Sequence, residues 1–135
     1  MLGEPDLGWT KVTVGTFEGY ASYLTDVPFD VLNGFVDGLS GNRPVAVAFD
    51  QEGSDFLLLT FWNATYVILN DEEGESHLYS FDISWKELAR EVVHDMQAHF
   101  SGWLDWESSG TIPYDRRFKL KSLMERLRSL LQERA

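Results

Sequence analysis

The 135 residues contain no cysteine, which excludes a disulfide framework, a thiolate nucleophile and any zinc or iron–sulfur site built on sulfur. Basic side chains are scarce: 11 Lys and Arg stand against 22 Asp and Glu, for a net charge of −11. No apolar run reaches the roughly 20 residues of a membrane helix. The opening Met1-Leu2-Gly3-Glu4-Pro5-Asp6 lacks the basic and apolar regions of a secretory signal. These absences predict a protein of the cytoplasm that spans no membrane, and they make the Asn63-Ala64-Thr65 sequon read as a turn rather than a glycosylation site.

What is present is a core. Hydrophobic residues make up 44% of the chain and aromatics 14%, far more than a disordered acidic chain carries. The length suits a single domain spanning residues 1–135. The charge is uneven: residues 1–114 carry 19 acidic and four basic side chains, whereas residues 115–135 carry three and seven. A body of that sign repels phosphate backbones and anionic membranes and attracts basic surfaces. The expected partner is therefore a basic protein, with neither nucleic acid nor membrane bound directly.

Along the chain, Trp9 to Tyr23 reads as a bent strand or hairpin pivoting near Gly15. Val27-Pro28 opens a helix with Val31, Leu32, Phe35, Val36 and Leu39 on one face, ending at Gly41. Gly34 and Gly38 weaken that helix unless they let a strand approach closely. Short apolar runs follow over Val45–Phe49, Phe56–Trp62, Thr65–Leu69 and Leu78–Phe81, and turn residues between them predict an antiparallel meander. Ser84-Trp85-Lys86-Glu87 is a capping box with Ile83 and Leu88 as its staple, and the apolar stripe behind it runs through Trp103 to about Leu104. A Ser108-Ser109-Gly110 linker and Pro113 lead to a last helix from near Asp115. The fold class expected is α+β: one antiparallel sheet of about four to six strands, with one N-terminal and two C-terminal helices packed on it.

Catalytic and metal chemistry find little support in this pattern. His94 and His99 are five residues apart, about 140° around a helix, and cannot share an ion as an i, i+4 pair would. His77 stands apart from both. Asp95 and His99 are spaced to meet, but two ligands on a solvated face define no site. No Gly-x-Ser-x-Gly elbow or other nucleophile–base pattern occurs. Asp50, Glu52 and Asp55 flank a turn, lack the ligand alternation of a calcium loop, and read as turn residues before they read as paired catalytic carboxylates. No glycine loop is shaped to cradle phosphate. No cofactor, metal or catalytic residue is assigned.

Two groups remain. Asp71, Glu72, Glu73 and Glu75 form the densest charge in the chain, and a meander would bring them near Asp50, Glu52 and Asp55. Exposed aromatics among Trp62, Tyr66, Trp103 and Trp106 would turn such a solvated edge into a binding surface, because aromatics rimmed by charge make binding hot spots. Asp50, Glu52, Asp55, Asp71, Glu72, Glu73, Glu75, Trp62 and Tyr66 are therefore the candidate partner-binding residues. In the last helix, Leu120, Leu123, Leu127 and Leu131, with Met124 and Leu130, form a stripe that is either core or a homodimer seam. The cations Arg116, Arg117, Lys119, Lys121, Arg126, Arg128 and Arg134 read as its solvated flanks, some of them facing the acidic body.

The size, acidity, lack of cysteine and sheet-plus-helices layout resemble the small immunity proteins of bacterial toxin–immunity systems, including contact-dependent inhibition. Ile83-Ser84-Trp85-Lys86-Glu87-Leu88 and Trp103 carry the resemblance. It implies stoichiometric binding that blocks a toxin, often a cationic nuclease, by presenting carboxylates where phosphate would sit. The charge pattern alone leads to the same expectation of a non-enzymatic inhibitor of a basic protein. Three other readings stay open: a nucleic-acid mimic that inhibits a DNA-binding enzyme of a host or phage, an enzyme with a pocket invisible in sequence, and a subunit dimerising through the leucine stripe.

Overall fold

A computed structural model describes residues 1–107 and 111–133; the Ser108-Ser109-Gly110 linker and Arg134 lie outside the described residues. The chain is α+β. A hairpin of β1 (Trp9–Val14) and β2 (Phe17–Ser22) precedes α1 (Val27–Gly41). The meander β3 (Val45–Asp50), β4 (Asp55–Thr60), β5 (Thr65–Asn70) and β6 (Ser76–Phe81) comes next. Helices α2 (Trp85–Ala98), α3 (Phe100–Leu104) and α4 (Arg116–Glu133) close the chain. No helix among the described residues is long and apolar enough to cross a membrane.

The expected single sheet is two sheets, β1-β2 and β3-β4-β5-β6. The reason lies at their meeting point. The backbone N–H of Tyr20 donates to the Gln51 side-chain oxygen at 2.8 Å, so β2 is tied to the end of β3 by a side chain rather than by a ladder. The hairpin instead lies on the larger sheet through Phe17, which meets Phe56 edge-on at 5.1 Å and Tyr79 at 5.2 Å. The pivot is the turn at Gly15, with φ of 57°.

Strand alternation sorts the meander into two faces. Val45, Val47, Phe49, Phe56, Leu58 and Val67 point inward and are buried. Helix α1 packs against them by way of its glycines: a Cβ on Gly38 would sit 2.5 Å from Val45 Cγ2, and one on Gly34 would sit 2.7 Å from Val47 Cγ2. Close approach to a strand therefore outweighs the helix propensity that the two glycines forfeit.

The capping box forms as the sequence predicts, with Ser84 Oγ accepting from the Glu87 N–H at 3.3 Å. The backbone N–H of Trp85 also donates to the Phe61 carbonyl at 2.8 Å, which fixes the start of α2 on the β4–β5 turn. The one helix expected through Leu104 breaks at His99, whose φ of −130° is not helical, and resumes as the short α3. That break swings Trp103 and Trp106 into the core, 5.6 Å apart. Their indole N–H groups donate to the carbonyls of Asp95 at 3.1 Å and Thr25 at 2.8 Å. Both tryptophans are thus satisfied core residues rather than binding anchors. Helix α4 lies across α1 and α2 with Leu120, Met124, Leu127 and Leu130 buried beneath it.

Candidate functional site: an open sheet face

The meander's outer face carries Ala46 and Ala48 from β3, Leu57 and Leu59 from β4, Tyr66 and Ile68 from β5, and Leu78 from β6. None of them is buried, and Leu78 is 68% exposed. The register makes them a continuous layer, since Ala48 pairs with Leu57, Leu57 with Ile68, and Ile68 with Leu78, while Ala46 pairs with Leu59 and Leu59 with Tyr66. The helices and the hairpin lie on the opposite side. A four-stranded face left apolar and uncovered is the kind of surface that marks an interaction site.

At one end of this face the acidic candidates come together as expected. The pairings Asp50–Asp55, Asp55–Asn70 and Asn70–Ser76 form one row across all four strands. Two side-chain bonds lock it: Ser76 Oγ donates to Asn70 Oδ1 at 2.7 Å, and Asn70 Nδ2 donates to Asp55 Oδ1 at 2.7 Å. Asp50 and Asp55 stand directly opposite each other, a like-charge arrangement that disfavours the sheet. The Asp50 carboxylate accepts from the Glu52 N–H at 2.7 Å, and the two turns lie side by side, Gly53 against the Glu72 side chain.

Asp71 closes the second turn. Its Oδ1 accepts from the N–H groups of Glu73 at 3.0 Å and Glu75 at 2.9 Å, while Oδ2 lies 2.8 Å from His77 Nε2. The hydrogen bond with His77, followed by those from the backbone, holds the Asp71 carboxyl below its ordinary value. Asp71, Glu75 and His77 each offer a ligand atom within 4.8 Å of the others, but Asp71 is already committed to the loop's own hydrogen bonds. Glu72, Glu73 and Glu75 remain exposed around it.

Trp62 and Tyr66 are not part of that cluster. The β4–β5 turn places Trp62 at the far end of the sheet, about 17 Å from the acidic row at 3.3 Å per strand residue. Trp62 is 64% exposed, stands edge-on to Phe61 at 6.1 Å and Trp85 at 6.4 Å, and borders a hollow shared with Asn42 and Lys86. Tyr66 is half-buried on the outer face itself, against Phe61 at 5.9 Å. The seven acidic candidates therefore lie at one end of the sheet and the two aromatic ones at the other, Tyr66 on the outer face and Trp62 toward the start of α2; apolar residues of the outer face lie between. Their signal was in β4: Phe56-Leu57-Leu58-Leu59 does not alternate, and an unbroken apolar run marks a strand apolar on both faces.

The remaining candidates have structural explanations. Asp95 accepts from the Leu2 N–H at 2.9 Å rather than meeting His99, and His94 Nδ1 is 3.5 Å from Asp95. In the leucine stripe, Leu120 and Leu127 are fully buried in the chain's own core, and Leu123 and Leu131 are half-buried against it. A seam through these four residues would have to open the packing of α4 on α1 and α2. Arg116, one of the flank cations expected to face solvent or the acidic body, faces the body and is only 12% exposed. Its guanidinium reaches Asp26, the carbonyls of Leu104 and Trp103, and the Phe29 ring.

No family model matches this chain, and neither does any curated protein or solved structure.

Proposed function

We propose that this chain is a non-enzymatic binding protein whose open sheet face captures a basic protein partner and neutralises it, as an immunity protein does a cognate bacterial toxin. The observation that carries the reading is the outer face of the meander: apolar at its centre, carboxylate-rich at the β3–β4 and β5–β6 turns, and bounded at the other end by Tyr66 against Phe61. A basic patch on the partner would meet the acidic row, its apolar surroundings would lie on Leu57, Leu59, Ile68 and Leu78, and the net −11 charge would accelerate encounter.

Size sets a condition on this reading. Four strands at 4.8 Å spacing and six residues at 3.3 Å make a face of roughly 15 by 17 Å, well short of the ~800 Å² that one partner contributes to a standard interface. The turns at both ends must therefore take part. Carboxylates facing a nuclease's phosphate site would make the partner's own substrate compete with binding, which also accommodates a nucleic-acid-mimic inhibitor as a variant of the same chemistry.

The test is quantitative capture from the native host's lysate with the parent protein and two variants, Asp50→Asn with Asp55→Asn, and Leu57→Ser with Ile68→Ser. A single basic protein retained by the parent, released by salt and lost from both variants supports the reading. Equal retention by all three proteins overturns it.

A further inference from the structure

Helix α4 carries six cations among its described residues, and they divide by whether they have a carboxylate partner. Arg116 pairs with Asp26 at 2.8 Å, Lys119 with Asp115 at 2.8 Å, and Arg126 with Glu133 at 3.8 Å. Arg117, Lys121 and Arg128 have no carboxylate within ion-pairing distance among the described residues. These three helix cations all border one groove of about 370 Å³ between α4 and the corner where α2 meets α3.

The groove has an apolar floor, Phe100 and Met124, and a polar wall at Gln97. Arg117 lies over the Phe100 ring, 5.6 Å from its centroid, a cation–π contact that draws the guanidinium to the groove's apolar floor. Arg117 and Lys121 are one helical turn apart, about 6 Å in rise, so a single anionic group can touch both; Arg128 stands about 10 Å further on. Against these three cations the lining sets one carboxylate, Glu125. A volume of this order falls at the small end of ligand pockets.

We propose that this groove is a binding site for a small amphipathic anion, with a carboxylate or phosphate head held by Arg117 and Lys121 and an apolar body lying on Phe100 and Met124. The rest of the molecule selects for small size. Its net negative field repels a polyanion that extends beyond the groove, whereas a compact head inside it feels chiefly the three local cations within a screening length of about 10 Å.

Decyl phosphate below its micellar concentration is the probe, titrated into the full chain by calorimetry and by ¹H–¹⁵N spectra. Saturable one-to-one binding is expected, with shifts centred on Gln97, Phe100 and Met124. Combined Arg117→Gln, Lys121→Gln and Arg128→Gln substitutions should weaken it at least about tenfold, the loss of one charged contact or more. Glu125→Gln, which leaves every cation in place, should strengthen it. Decanol and inorganic phosphate, each lacking half of the ligand, should bind at least about tenfold more weakly. Equal affinity in the triple variant, equal affinity for decanol, or shifts centred on the outer sheet face would overturn the proposal. Retention on phosphatidic acid vesicles without binding of free decyl phosphate would likewise overturn it, by assigning the cations to a membrane surface.

Discussion

Arg116 grips Asp26 as a fork, with Nη1 2.8 Å from Oδ2 and Nη2 3.2 Å from Oδ1, across 90 residues of sequence. The same guanidinium donates to the carbonyls of Leu104 and Trp103 at 2.7 and 2.8 Å. One side chain thus joins the starts of α1 and α4 to the end of α3. It also neutralises Asp26, which stands near Asp30, whose carboxyl is raised by burial and by repulsion from Asp26. Replacing Arg116 with Met would leave two inward-facing carbonyls and a carboxylate without their donor. The expected cost is about 2–4 kcal/mol, because Asp26 keeps some contact with water. Urea unfolding of Arg116→Met checks it, and Arg116→Lys should recover only part of the loss, since an ammonium cannot make the fork.

Gly38→Ala tests the approach of α1 to β3. On an exposed helix this change would stabilise by about 1 kcal/mol. Here the new Cβ would meet Val45 Cγ2 at 2.5 Å and the Arg43 carbonyl at 3.1 Å, and overpacking of that kind costs about 1–3 kcal/mol. A net loss of about 1 kcal/mol is expected in thermal or urea unfolding. A gain would show that helix and strand are free to separate.

Thr65→Val tests a buried polar junction. Thr65 Oγ1 donates to the Ile83 carbonyl at 2.7 Å, which leaves the 2.7 Å contact between Thr60 and Thr65 with Thr60 as the donor. A valine of the same shape removes both bonds and strands a buried hydroxyl, at a cost of about 1–3 kcal/mol. Because Ile83 directly precedes the capping box, amide exchange should accelerate first in the opening turn of α2.

The Asp71 turn should respond to acid. A carboxyl held below its ordinary value binds its proton less readily in the closed loop than in the open chain. Closure is therefore fully favoured above the ordinary value of 3.8 and is lost as pH falls through the lowered one. The Glu73 and Glu75 amide resonances should hold their positions at pH 5 and move only under more acid conditions. Asp71→Asn should move them already at neutral pH; a midpoint at or above 3.8 in the parent would contradict the geometry.

Much of this architecture is legible in the sequence because its signals are local. Ser84 and Glu87 declare a helix start, Pro28 and Gly41 bracket α1, and Asn63-Ala64 marks a turn whatever surrounds it. The acidic row was legible too, since a meander with short turns must bring Asp50, Asp55 and the Asp71–Glu75 loop to one end. What escaped depends on contacts distant in sequence. Nothing local distinguishes Arg116 from Arg117, yet one is buried against Asp26 and the other borders a groove. Trp103 falls on an apolar helical stripe and Trp62 next to a turn, but only the packing shows the first fully buried and the second exposed. The split of the sheet turns on Gln51, a turn residue that takes the Tyr20 N–H. The outer face is visible in the unbroken Phe56–Leu59 run, which marks a strand apolar on both sides.

The account rests on the open sheet face as the place where a basic partner is held, and a ¹H–¹⁵N footprint of the captured partner on the labelled chain tests it most directly. The prediction is loss or shift of the amide signals of Ala48, Leu57, Ile68 and Leu78, together with the Asp50–Asp55 and Asp71–Glu75 turns, while the α4 amides stay in place. A footprint centred on α4 or on the β1–β2 hairpin, with the meander unchanged, would contradict it.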